Sequence, residues 1–228
     1  MNFDVLLWDI DGTLLDFLAA EKAAIKSLFA HFGLGECSDE MVERYSAINK
    51  RCWEALERGE IEKSAMLVRR FEEFFASEGI DTTVAREFND LYQVRLGDTV
   101  VFCDNSYELV SGLRGRVRQY AVSNGTIAAQ TKKLKLSGIG ELMDGIFLSE
   151  QLGYEKPNIE FFNQVFDALG PVDKSEVLIV GDSLTSDIRG GNNAEILTCW
   201  YNPNHLSAGP EYRIDYEIED LHEILKLL

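Results

Sequence analysis

Asp9 and Asp11 stand two positions apart, after the apolar run Val5-Leu6-Leu7-Trp8 and before Gly12 and Thr13. A short run without a polar residue suits a strand buried on both faces better than one with a wet side. Burying a carboxylate is costly unless something compensates it, so acids at the end of a core strand need a cation, hydrogen-bond donors or water. At a strand period of two, both acids leave on one face while Ile10 points the other way. The same ending recurs where Glu176-Val-Leu-Ile-Val180 runs into Gly181-Asp182-Ser183 and, four residues on, Asp187. Three or four carboxylates meeting at one sheet edge form an oxygen-only site of the kind that suits Mg²⁺. A third strand, Gln119 to Val122, ends in Ser123-Asn124-Gly125-Thr126, a hydroxyl followed by a loop whose N–H groups could hold phosphate oxygens. A fourth, Gly145 to Leu148, leads to Lys156-Pro157, which supplies the positive charge. Taken singly, the acid pair reads equally well as an acidic turn closing a strand, Ser123-Asn124-Gly125 reads as a turn and Lys156-Pro157 as a solvated loop; their succession at strand ends carries the signal.

The elements that must position these groups alternate. After Val100, helices at Tyr107 to Leu113, Thr126 to Leu136, Glu160 to Leu169, Leu184 to Asn193 and Leu221 to Leu227 interleave with the strands above and with Ile196 to Tyr201. Alternating βα units form a parallel sheet with helices on both faces, and ligands bind at the carboxyl ends of its strands. Between Asp16 and Leu96 the pattern is helical throughout. Apolar residues recur at three- and four-residue spacing over Glu21 to Phe32, Asp39 to Glu57, Ser64 to Ser77 and Val84 to Leu96. Ser38 and Ser64 suit helix starts, and Gly33, Gly59 and Gly79 suit helix ends. An insert leaving the sheet directly after the acid pair would lie over the site as a lid, excluding water and choosing the leaving group.

In this order, DxDGT, a strand ending in SN, KP and GDSxxxD resemble the haloacid dehalogenase-like hydrolases. The resemblance implies an α/β fold with a Rossmann-like parallel core, residues 1–15 and 97–228, and an inserted α-helical cap, residues 16–96. It also implies Mg²⁺-dependent phosphomonoester hydrolysis: Asp9 as nucleophile forming an aspartyl phosphate, Asp11 as acid and then base, and Ser123, the Asn124 N–H, Gly125 and Lys156 about the phosphate, with Thr13 nearby. The metal would be held by Asp9, the Asp11 carbonyl and Asp182, with Asp187 fixing metal-bound water or orienting Lys156. Ala47-Ile-Asn49-Lys50-Arg-Cys-Trp53, Ser186 to Ala194 and Thr198-Cys-Trp200 further resemble the pyrimidine 5′-nucleotidases of that family, making Asn49, Lys50 and Trp53 candidates for reading a base. Two departures stand out: Glu195 where those nucleotidases usually carry Gly, and Cys103-Asp104-Asn105 in place of a Pro-Gly turn.

Other classes share parts of the pattern. A sugar-phosphate or phosphoglycolate phosphatase, or a phosphomutase, would use the same four motifs under a different cap. A 2-haloacid dehalogenase attacks carbon without metal and lacks the second acid, here Asp11. A phospho-accepting receiver needs no eighty-residue helical insert after its first strand.

With 22 basic against 39 acidic residues the formal charge is −17, which argues against nucleic acid polymers and anionic membrane surfaces as partners. A small phosphorylated metabolite remains compatible, because a bound cation and a lysine reverse the potential inside a cleft. The expected assembly is a monomer or homodimer. Cys37, Cys52, Cys103 and Cys199 form no CxxC pair and no histidine cluster accompanies them, so neither zinc nor a disulfide framework is expected. The apolar start is short and broken by Asp9 and Asp11, unlike a signal peptide, and a cytoplasmic location is the expectation.

Overall fold

A computed structural model describes residues 3–228; residues 1 and 2, counted with the core above, lie outside the described residues. β1 (Val5–Trp8) is followed by four helices, α1 (Phe17–Phe32), α2 (Asp39–Glu57), α3 (Lys63–Glu78) and α4 (Ala85–Arg95). Then come α5 (Ser106–Leu113), β2 (Arg118–Ser123), α6 (Ile127–Ser137), β3 (Gly145–Leu148), the single turn α7 (Ser149–Leu152) and α8 (Ile159–Leu169). β4 (Val177–Gly181), α9 (Arg189–Ala194), β5 (Leu197–Tyr201) and β6 (Tyr216–Ile218) complete the set, and a 3₁₀ segment, Leu221–Lys226, stands where the sequence suggests a helix.

The strands form one sheet in the order β3-β2-β1-β4-β5-β6, every pairing parallel. β1 therefore lies between β2 and β4, where the order reverses and where an open α/β sheet presents its crevice. Alternation along β1 is strict. Leu6 and Trp8 join a cluster with α5, α6 and the C-terminal segment, while Val5 and Leu7 join the opposite one with α8 and α9. All four side chains have no exposed surface, as the apolar run requires. β6 escapes the sequence pattern because it is three residues long and flanked by acids. It is fixed at the sheet edge by the Asn202 N–H on Ile218 O (2.8 Å), while Asp215 just before it accepts from Thr198 N (2.9 Å).

The helices α1 to α4 build their own hydrophobic cluster around Tyr45, Phe71, Phe74, Phe75, Phe88 and Tyr92. The Tyr45 and Phe71 rings stack with centroids 4.8 Å apart. Ser38 caps α2 by accepting from Met41 N, and Gly33 and Gly79 end α1 and α3 in left-handed conformation. Ser64, in contrast, lies inside α3, whose first turn begins after Glu62. The two chain segments joining this insert to the sheet are bonded to each other through Asp16 N to Val101 O (2.9 Å) and Cys103 N to Leu14 O (3.1 Å).

Glu195, the departure from glycine noted above, ends α9 at φ 60°, ψ 35°. A Cβ is disfavoured there, so Glu195→Gly should raise stability by about 1 kcal/mol, read as a higher urea midpoint at unchanged slope. A lowered midpoint would mean that the exposed Glu195 side chain contributes more than its backbone costs.

Candidate active site

Asp9 leaves the end of β1 with its N–H on Val180 O (2.9 Å), so the ladder between β1 and β4 continues into the site. Its carboxylate meets three elements. Oδ1 accepts from Lys156 Nζ (2.8 Å) and Oδ2 from the Thr13 hydroxyl (3.2 Å), while Asp182 and Asp187 offer oxygens within 4.8 Å of its own. Lys156 is buried, and its Nζ donates to Asp9, to Asp187 Oδ1 (2.7 Å) and to Val122 O (2.9 Å), which uses all three protons. Burial pushes the Asp9 carboxyl up, opposed by Lys156 and reinforced by Asp187. Asp182 opens onto the cleft floor yet is enclosed on its other sides, and that desolvation, with the charges of Asp9 and Asp187, lifts it well above the usual carboxylate range.

Two local features of the chain make this convergence possible. Gly12 turns the backbone at φ 95°, and a Cβ there would stand 2.6 Å from Asp182 Oδ2, so only glycine lets the acid approach. Downstream of β4 the predicted helix Leu184 to Asn193 begins instead as a π-helical turn, Leu184–Ile188, before α9. Ser183 caps that turn through Ser186 N, and Asp187 folds back to accept from Ser183 N (3.1 Å) while facing Lys156. Wide turns of this kind recur at functional sites because they re-aim one side chain.

The remaining sequence candidates separate into two groups. Ser123 Oγ accepts from Gly125 N (3.0 Å), which leaves its own proton for an acceptor in the cleft. Asn124 clamps the Lys156 loop, donating to Lys156 O (2.8 Å) and accepting from Lys156 N (2.8 Å). Thr13 is fully buried as a brace between the strands, its hydroxyl shared by Asp9 and Asp182 N (3.1 Å). Asp11 stands apart from the other acids: Gln130 donates to Oδ2 and Lys133 pairs with Oδ1.

On the insert side, Asn49, Lys50 and Trp53 line the same cleft of about 880 Å³. The Asn49 amide is already committed, donating to Glu21 Oε2 (2.8 Å) and accepting from Arg70 Nη1 (2.6 Å), with one N–H and one lone pair left over. Lys50 is exposed and Trp53 half-buried, with Lys63 Nζ 5.9 Å from the Trp53 ring centre.

Several residues in or beside the cleft are not signalled by the sequence patterns. Glu57 hydrogen-bonds to Thr185 across the cleft, and burial pushes its carboxyl up to about 7. Lys63 spans from α3 to Asn124 O and Ser149 Oγ, 2.8 Å each. Glu21 is buried under Ser46, Asn49 and Tyr92. Gln130 and Lys133 occupy inward positions of α6, three apart, where periodicity calls for apolar side chains; that mismatch was the available signal.

The sequence model of the haloacid dehalogenase-like hydrolases matches residues 3–195. The chain belongs to that family. As a family member it is a hydrolase, and relatives of full length accompany it. It is 34% identical over 227 residues to the HAD-hydrolase YfnB of Bacillus subtilis, covering all of this chain and 96% of that one. A crystal structure of YfnB bound to magnesium, described as revealing interdomain movement, superposes with a TM-score of 0.93 at 33% identity over 100% of this chain and 99% of the other. Pyrimidine 5′-nucleotidase PynA of Streptococcus pneumoniae is 34% identical over all of this chain and 96% of its own length. Pyrimidine 5′-nucleotidase YjjG of Escherichia coli is 27% identical over 100% and 99%. Among the described residues no helix is long and apolar enough to cross a membrane.

Proposed function

We propose that this haloacid dehalogenase-like hydrolase is a Mg²⁺-dependent phosphomonoesterase acting through an aspartyl phosphate, with pyrimidine nucleoside 5′-monophosphates as substrates. The observation that carries the chemistry is the divergence of the two β1 acids. Asp9 sits in the buried cluster beside Lys156, and Asp11 faces the opposite wall beside Lys133. Two carboxylates in unlike surroundings suit unlike tasks.

The cluster also fits a divalent ion. Asp9, Asp182 and Asp187 bring three carboxylates, all hard oxygens, against the one ammonium of Lys156, and a cation would favour their ionised forms. Asp9 and Asp182, with the Asp11 backbone carbonyl, would hold Mg²⁺, and Asp187 would orient Lys156. Such an ion, when bound, neutralises phosphate charge and lowers repulsion of the attacking carboxylate.

The chain's own groups do the rest. The Ser123 proton and free N–H groups of the Asn124 loop would hold the phosphoryl oxygens in line with Asp9, and Lys156, its protons already engaged, would act on them through its charge. Asp9 attacks phosphorus and the ester oxygen leaves with a proton from Asp11; Asp11 then takes a proton from the water that cleaves the aspartyl phosphate.

These groups grip only phosphate, so discrimination falls to the insert wall. The leftover N–H and lone pair of Asn49 match a pyrimidine edge, Trp53 offers a face and Lys50 a cation, and the names of PynA and YjjG point the same way. A phosphate-release screen over nucleoside monophosphates, sugar phosphates and phosphoglycolate tests the reading. UMP, dUMP or dTMP should exceed purine nucleotides by about tenfold or more in kcat/KM, EDTA should abolish release and Mg²⁺ restore it. Preference for a sugar phosphate would sink the nucleotide assignment, and full turnover after chelation would sink the metal.

A further inference from the structure

We infer that Gln130 and Lys133 of α6 are positioning residues for Asp11, holding the acid that protonates the departing oxygen; the inference rests on the phosphatase reading above. Asp11 is only partly buried at the cleft, yet both its oxygens are engaged from one side, Oδ2 by Gln130 Nε2 (2.5 Å) and Oδ1 by the Lys133 ammonium. Both partners are themselves hidden: Gln130 has no exposed surface and Lys133 1%. A buried ammonium needs an anion, and the structure pairs Lys133 with Asp11, so these contacts favour the carboxylate that Asp11 becomes once its proton has passed to the departing oxygen; Lys133 Nζ also lies 5.2 Å from the Phe17 ring centre.

Gln130 supplies an independent sign. Its Oε1 is buried without a hydrogen-bond partner. Leaving a carbonyl unpaired is unfavourable, and turning the amide over would put that oxygen against the Asp11 carboxylate, so the Nε2–Asp11 bond decides the orientation. The glycine of the Ser123-Asn124-Gly125 motif serves the same contact. A Cβ at Gly125 would lie 2.9 Å from Gln130 Cγ and Cδ and force the amide away. Two buried polar side chains at positions where α6 should be apolar, and a glycine that clears the path of Gln130, together fix one rotamer of Asp11.

A fixed acid matters most when the leaving group is poor. An alkoxide must be protonated as the P–O bond breaks, whereas p-nitrophenolate departs without help. The parameter kcat/KM covers steps up to formation of the aspartyl phosphate, so it isolates this proton donation from the later use of Asp11 as base. Gln130→Met and Lys133→Met should each lose about 30-fold in kcat/KM on an alkyl phosphomonoester such as UMP, and less than about threefold on p-nitrophenyl phosphate. Lys133→Arg should recover most of the loss on the alkyl ester. Thermal melts confirm that each variant is folded, and Gln130→Met serves should Lys133→Met fail to fold. Equal losses on the two esters, or no loss on either, would overturn the inference while leaving the phosphatase reading intact. A wild-type protein that released phosphate from neither ester would overturn that reading and this inference with it.

Discussion

Asp9→Asn should lower kcat by at least about three decades, roughly 4 kcal/mol of barrier, in a protein that melts no earlier than the wild type. The substitution preserves shape and keeps an oxygen for Lys156 Nζ, which lies 2.8 Å from Oδ1. What disappears is the proposed nucleophile; Asp182 and Asp187 come from the end of β4, and Asp187 is spent on Lys156 and Ser183 N. The Asp9 carboxyl is pushed up by burial, so its ionised form is less favourable in the folded chain than in the unfolded one, and that penalty grows as pH rises past the unfolded value. The neutral amide carries no such penalty, so the melting temperature at pH 8 should be equal or higher. Near-normal phosphate release by folded Asp9→Asn would remove the covalent mechanism.

Lys156→Met should have the largest effect on stability. Lys156 is buried with each ammonium proton bonded, and it stands between two buried acids. Removing one partner of a buried ion pair leaves the other charge uncompensated, at about 3–5 kcal/mol. The loss should shrink as pH falls, since protonating Asp9 removes one of the stranded charges. Urea unfolding at pH 8 and pH 5 measures both. A deficit below about 1 kcal/mol, or one that did not change with pH, would show that Lys156 does not compensate the acids. Activity should fall with it by about two decades or more if, as proposed, the same ammonium neutralises the phosphate.

Much of this architecture is visible before folding is considered. The unbroken apolar runs of β1 and β4 announce strands buried on both faces, and acids after such strands have few places to go but a shared edge. Helices α2, α3 and α8 are legible to within a residue because each buries a regular apolar stripe. The losses have physical causes. β6 is too short and too acidic to show a pattern, and the π turn depends on Asp187 reaching back to Lys156, a contact 31 residues away. Gln130, Lys133, Glu21 and Arg70 look like surface residues because long polar side chains are normally solvated; each is buried here only because a partner from another element meets it. Asn49 shows the limit from the other side. Its residue type suits reading a base, but the sequence does not reveal that Glu21 and Arg70 already hold its amide.

The place of β1 in the sheet bears on how the chain is made. Its two neighbours are β2, more than a hundred residues later, and β4, later still, whereas α1 to α4 follow at once and close their own aromatic cluster. On a ribosome adding about 5–20 residues per second, β1 stays without a partner for roughly 5 to 20 s while the insert folds beside it. Four consecutive apolar residues left open that long invite pairing with another nascent chain. Asp4 on one side and Asp9 and Asp11 on the other bracket the run with like charge, so the acids proposed to handle phosphate also sit where charge disfavours pairing of this strand with another chain.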